Sequence, residues 1–197
     1  MANKKISELT IKTDNFKSRD LFEIAESISP GVFESKSING KLMQESIFNS
    51  VVYGAFHDDN TQTTTALTPT AMLLRSTDMN FGVDVIGDTR ITVNEKGIYN
   101  VQFSAQIYRT SGGTSQHIDI WLRKNGADIP SSNTRLNVNA NAVYNVGAWN
   151  WFVKLDVGEH VEIFWHVSAS TIQLQYEAPA TDHPATPSVI ATINRIH

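Results

Sequence analysis

Cysteine is absent from this chain of 197 residues, which removes disulfide frameworks, thiolate metal sites and cysteine nucleophiles in one step. Stability must then come from packing or assembly. Positive charge is scarce as well: 16 lysines and arginines stand against 20 aspartates and glutamates, for a formal charge of -4, so no basic field exists to attract a nucleic-acid backbone. No nucleic-acid partner is expected. Apolar runs stay well short of the roughly 20 residues of a membrane span, and Ile6-Ser7-Glu8-Leu9-Thr10 after Lys4-Lys5 is too polar for the core of a signal peptide. These gaps predict a protein made in a cytosol, soluble and not inserted in a membrane. No internal repeat of roughly 20 to 50 residues is visible, which sets aside propellers and solenoids.

What the sequence does contain is alternation. From about residue 51 onward, apolar and polar residues exchange places with a period of two, the mark of half-buried antiparallel strands. Tyr99, Val101, Phe103, Ala105 and Ile107 share one face; Ile118, Ile120 and Leu122 another; Trp149, Trp151, Val153, Leu155 and Val157 a third; Val161, Ile163, Trp165 and Val167 a fourth. Further candidates are residues 51–56, 72–74, 81–86, 89–93, 172–176 and 189–196, with turn residues between them. Roughly eight to ten short strands and no convincing helix predict an all-β antiparallel sandwich or jelly roll. Within it, Asn125-Gly126 is the dipeptide best suited to a two-residue type I′ hairpin, so Arg123 and Lys124 are read as the solvated rim of a bend. Polar loops are expected at 58–65, 111–116, 131–145 and 177–187.

Residues 1–46 follow a different pattern and are read as an N-terminal attachment arm, with the knob domain at 47–197. Leu21, Phe22, Ile24, Val32 and Phe33 form apolar patches too small to enclose a core and costly to leave in water. The expectation is that they dock on a partner, as extended segments do when they add to a foreign sheet.

The second faces of the strands carry Tyr108, Trp121, Phe152 and Phe164. Taken together they predict an apolar patch larger than a soluble monomer tolerates, hence an interface with other copies, each ring contributing roughly 2 kcal/mol on burial.

The search for chemistry finds little. His160, Glu162 and His166 share a strand face, with the first two about 7 Å apart, but no third ligand stands at diagnostic spacing; they are read as polar surface that could repel near a three-fold axis when charged. His57 and Asp58 are adjacent, so on a strand they point to opposite faces; the stretch is read as a solvated loop. Gly112-Gly113 lacks the helix that phosphate binding requires, and no carboxylate pair fits glycosidase chemistry. No catalytic residue, metal or cofactor is assigned, and the protein is expected not to be an enzyme.

Gly97-Ile98-Tyr99-Asn100-Val101-Gln102-Phe103-Ser104, Trp121-Leu122-Arg123-Lys124-Asn125-Gly126, Leu155-Asp156-Val157-Gly158-Glu159-His160-Val161-Glu162-Ile163 and Pro187-Ser188-Val189-Ile190 occur in that order. The series resembles the C1q/TNF-like jelly roll, especially the version found in bacteriophage virion proteins, over about residues 50–197. The opening Lys4-Lys5-Ile6-Ser7-Glu8-Leu9-Thr10, with residues 20–24, is similar to the short N-terminal segment of phage fibre and decoration proteins. The resemblance implies a compact homotrimer with aromatics along the three-fold axis. There is no calcium-type acidic cluster and no collagen-like stem, so calcium dependence is not carried over. The expected role is a trimeric knob on the virion surface, anchored by its arm to the major capsid protein or another virion protein as a decoration or cement protein. The alternative is a tail-fibre or head-fibre receptor-binding protein that holds a host glycan, with Tyr144 and Tyr176 as stacking residues.

Overall fold

The computed structural model describes the backbone of residues 21–29 and 32–39 and the whole of residues 51–197. The chain divides into two compact units, Met1–Ser50 and Val51–His197. In the first, β1 (Leu21–Ser29) and β2 (Val32–Asn39) form an antiparallel pair. Phe22 lies opposite Ile38 and Phe33 opposite Ser27, with a slip in register between Ser27 and Ser29. The apolar patches read separately from the sequence thus belong to one hairpin, Leu21, Phe22 and Ile24 on β1 and Val32 and Phe33 on β2. The opening stretch Lys4 to Thr10 lies outside the described residues.

The second unit begins with β3 (Tyr53–Asp58), β4 (Thr70–Ala71), β5 (Ser76–Phe81), β6 (Val83–Ile86) and β7 (Arg90–Val93). There follow β8 (Gly97–Arg109), β9 (Gln116–Lys124), β10 (Ala127–Asp128), β11 (Thr134–Val138) and β12 (Tyr144–Leu155). The chain closes with β13 (His160–Val167), β14 (Ile172–Leu174) and β15 (Val189–Arg195). No helix occurs among the described residues.

Every pairing is antiparallel, and the strands form two sheets. One runs β12-β8-β15-β3-β5 with β14 added to β8; the other runs β10-β9-β13-β7-β6, with β11 on β9 and β4 on β13. The eight main strands, in chain order β3, β7, β8, β9, β11, β12, β13 and β15, divide so that the first, third, sixth and eighth share one sheet. The other four share the second. That wiring of two Greek keys is a jelly roll.

The alternation read from the sequence builds the core. Tyr99, Val101, Ala105 and Ile107 from β8 meet Ile118, Ile120 and Leu122 from β9 and Val161, Ile163 and Trp165 from β13, all buried. Phe103 stacks on Trp151 at 5.2 Å and meets Trp149 edge-on at 4.6 Å, so those two part-buried indoles extend the core along β12. At Gly147 a Cβ would lie 3.0 Å from Ile107 and 3.2 Å from Leu136, which leaves glycine as the residue that lets β12 approach the core.

Three local expectations change. Residues 134–138 sit inside the predicted polar loop 131–145 yet form β11 along β9; Leu136 and Val138 turn inward, and the run was too short and polar to register as a strand. Asp58 is not solvated: it ends β3 pointing inward, fully buried, and takes Arg75 Nη1 at 2.8 Å and Gln62 Nε2 at 2.8 Å. A buried carboxylate needs that set of partners. The hairpin at Asn125-Gly126 has positive φ at both residues, 50° and 81°, as type I′ requires, but its charges are engaged rather than free. Lys124 Nζ pairs with Glu159 at 2.6 Å, and Asn125 Nδ2 donates to the same carboxylate at 2.8 Å.

Candidate functional site

Each sheet buries one face against the other and turns its second face outward, so the sandwich offers two outer surfaces that point in opposite directions. This geometry separates the four aromatics expected to share a trimer interface. Tyr108 on β8 and Phe152 on β12 lie on the outer face of the β12-β8-β15-β3-β5 sheet, while Trp121 on β9 and Phe164 on β13 lie on the outer face of the other. Alternation assigns a side chain to the inside or outside of its own sheet; it does not say which sheet. Even on their shared sheet, Tyr108 pairs with Tyr144 whereas Phe152 pairs with Asn100, eight residues along the strand, so the four rings form three separate groups.

The first outer face is uncharged. Its outward positions are Ile98, Asn100, Gln102, Ser104, Gln106 and Tyr108 on β8, Tyr144, Val146, Ala148, Asn150 and Phe152 on β12, and Ile190, Thr192 and Asn194 on β15. None is a lysine, arginine, aspartate or glutamate. Charge begins at its borders, with Lys154 on β12, with Asp78 3.2 Å from His57, and with Glu177, which accepts from the Tyr144 hydroxyl. Large apolar side chains nevertheless stand in solvent there: Phe152 is 65% exposed, Val146 58%, Met79 59% and Ile190 41%. One cross-strand row reads Phe152, Asn100, Asn194, Tyr53, Phe81 from edge to edge, with Asn150 Nδ2 donating to Asn100 Oδ1 at 2.9 Å beside it.

The second outer face is charged and aromatic. Register places Glu162 opposite Arg123, Phe164 opposite Trp121 and His166 opposite Asp119. The Arg123 guanidinium lies 3.9 Å from the centre of the Phe164 ring, whose own centre is 5.8 Å from Trp121, a cation–π stack. Asp128 ties the group together by accepting from Arg123 Nε at 2.5 Å and Trp121 Nε1 at 2.6 Å. Those two donors, Arg123 first, hold the Asp128 carboxyl below its ordinary range. Beside the stack a cleft of about 340 Å³ is lined by Asp119, Trp121, Asp128, Ile129, Asn133 and His166, among others.

Asp119 is almost fully buried and takes Arg135 in a two-point contact, Nε to Oδ1 at 2.9 Å and Nη2 to Oδ2 at 3.0 Å. Burial acts to raise its pKa, but the Arg135 bond and charge, with His117 and Asn133, outweigh it and leave the carboxyl lowered. Neither His117 nor Asp119 was singled out from the sequence. The His117-x-Asp119 spacing on one strand face was visible, but the pairing that adds His166 crosses 47 residues of chain. His160, Glu162 and His166 share the outer face of β13 as the sequence predicts, with His160 4.0 Å from Glu162.

Of the two tyrosines proposed for a glycan, Tyr144 packs on Tyr108 with ring centres 4.9 Å apart and donates its hydroxyl to Glu177. Partial burial of that hydroxyl and the Glu177 carboxylate push its pKa up to about 12. Tyr144 borders a hollow with Gln106, Glu177 and His183, whereas the Tyr176 backbone is held by Thr61 Oγ1 at 3.1 Å. Tyr176 does not line that hollow.

No protein-family model matches the chain, and no curated protein matches it. Among solved structures it is similar to murine APRIL in crystal structures at pH 8.5, 8.0 and 5.0, with TM-scores of 0.48, 0.48 and 0.45 and identities of 11%, 10% and 10%. Each comparison covers 75% of this chain and 100% of the murine one. The jelly-roll assignment rests on the strand order given above.

Proposed function

We propose that this chain is a non-enzymatic structural protein of a bacteriophage virion surface. It assembles as a homotrimer through the uncharged outer face, and the hairpin unit bearing Leu21, Phe22, Ile24, Val32 and Phe33 attaches it to the major capsid protein or another virion protein. The observation that carries the reading is the contrast in charge. A sheet face whose centre holds no ionised side chain, dotted with exposed Phe152, Val146 and Ile190, can be desolvated at little electrostatic cost and gains roughly 2 kcal/mol for each large apolar side chain covered. Phe152 and Tyr108 belong to that interface, whereas Trp121 and Phe164 belong to the opposite surface. The virion setting draws on the sequence resemblance set out at the start.

Sedimentation of the purified chain tests the assembly. A species of three times the 21.9 kDa chain mass is expected at micromolar concentration, and a single chain overturns it. Immunogold labelling of purified particles tests the setting: label on capsid facets supports decoration, and unlabelled particles refute it. A second reading, a receptor-binding head for a host glycan, is favoured by the cleft where an indole lies beside two carboxylates and an amide. Label confined to a tail or fibre tip would select it.

A further inference from the structure

We propose that His117, Asp119 and His166 form a binding site for one divalent transition-metal ion of the zinc class on the outer face of the charged sheet. The three side chains each offer one ligand atom, and these atoms lie within 4.8 Å of one another. They converge on a single oxygen: Asp119 Oδ2 is 3.3 Å from His166 Nδ1 and 3.7 Å from His117 Nε2. Around a tetrahedral ion with bonds of about 2.0 to 2.1 Å, donor atoms stand roughly 3.3 Å apart, so a small rotation of the two imidazoles closes the set.

The backbone holds the three in place. His117 and Asp119 are two residues apart on β9 and face the same way, and register sets His166 of β13 directly across from Asp119. At His117 the strand is clasped further, since its N–H donates to Ser168 Oγ at 2.9 Å and its carbonyl accepts from the Ser168 N–H at 3.0 Å. The second partner of the carboxylate is present too: Arg135 Nε on Asp119 Oδ1 orients it as outer-shell donors orient metal-binding carboxylates. Arg135 spans both oxygens, with Nη2 on Oδ2 at 3.0 Å, and supplies the countercharge that a buried aspartate requires, so electrostatic balance does not explain why two imidazoles crowd Oδ2 as well.

Two imidazole nitrogens and one carboxylate oxygen, without a thiolate, suit Zn²⁺, Co²⁺ or Ni²⁺ and disfavour Ca²⁺ and Mg²⁺, which take oxygen shells. Asp119 and His166 also line the cleft beside Trp121. A fourth position on the ion would therefore face that cleft and take water or a small anionic or hydroxyl ligand. This site is independent of the trimer and virion readings.

The test is calorimetric titration of the full chain with ZnCl₂ at neutral pH, paired with Co²⁺ absorption. Saturable binding of one Zn²⁺ per chain and the visible bands of four- or five-coordinate Co²⁺ are expected. His117→Gln and His166→Gln should each weaken binding by at least about tenfold, while His160→Gln leaves it unchanged. The imidazoles are part-exposed, and circular dichroism confirms that each variant is folded. Co²⁺ displaying only six-coordinate aquo-type bands, no saturable Zn²⁺ binding, or binding by both glutamine variants as tight as that of the parent chain would overturn the site.

Discussion

The two outer faces of one sandwich obey opposite rules. Both sheets fill the same core with alternating valine, isoleucine and leucine, yet the outward positions of β8, β12 and β15 hold no ionised side chain except Lys154 near the end of β12, while those of β9 and β13 hold Asp119, Arg123, Glu162 and three histidines. The charged face satisfies itself, since Arg123 lies on Phe164 and Asp128, Arg135 on Asp119, and Glu162 accepts from Thr89 at 2.8 Å. The uncharged face leaves its largest rings and branched chains in water.

Placing a charge on each face is the most direct way to break that contrast. Thr192→Glu puts a carboxylate between Gln102 and Ala55 at the middle of the uncharged face. Desolvating it costs several kcal/mol per chain, so the proposed trimer should dissociate to single chains in sedimentation. Thr92→Glu, on β7 beside His160 of the charged sheet, should leave the mass unchanged. Dissociation by both, or by neither, would remove the distinction.

A smaller effect is expected at the β9–β10 turn. Asn125→Ala forces alanine to φ of 50° and deletes the bonds to Glu159 and to the His160 N–H, so urea unfolding should show a loss of about 2 kcal/mol. Asn125→Gly keeps the backbone geometry and loses only the side-chain bonds, which should roughly halve that cost. Smaller again is Arg123→Gln, which removes the cation–π contact; a loss of about 1 kcal/mol is expected, with no change in oligomeric mass.

The smallest effect is electrostatic and confined to acid. The Lys124 ammonium first, then the Asp156 amide and Asn125, hold the Glu159 carboxyl down from 4.5 to about 2. A lowered folded-state pKa contributes stability above the unfolded value, and that contribution is lost as pH falls from about 4.5 toward 2. Thermal melts across this window should therefore fall less steeply for Glu159→Gln than for the parent chain. Equal slopes would show that the Lys124 pair does not act on stability.

Much of the fold was legible because period-two alternation is a local property. Tyr99 to Ile107 and Val161 to Val167 declared their buried faces, and Asn125-Gly126 declared its turn. β11 escaped because five residues with a polar majority give alternation too little length, and Asp58 escaped because only its buried partners Arg75 and Gln62 reveal it.

The sequence by itself determined which side of each strand is wet, where the hairpin turns, and that charge is sparse enough to leave assembly as a source of stability. Only the tertiary structure decided which wet sides coincide. Strand order is a long-range choice, and it sent Phe152 and Trp121 to opposite surfaces. The same choice carried His166 across the chain to His117 and Asp119, because register joins residues that no local pattern connects.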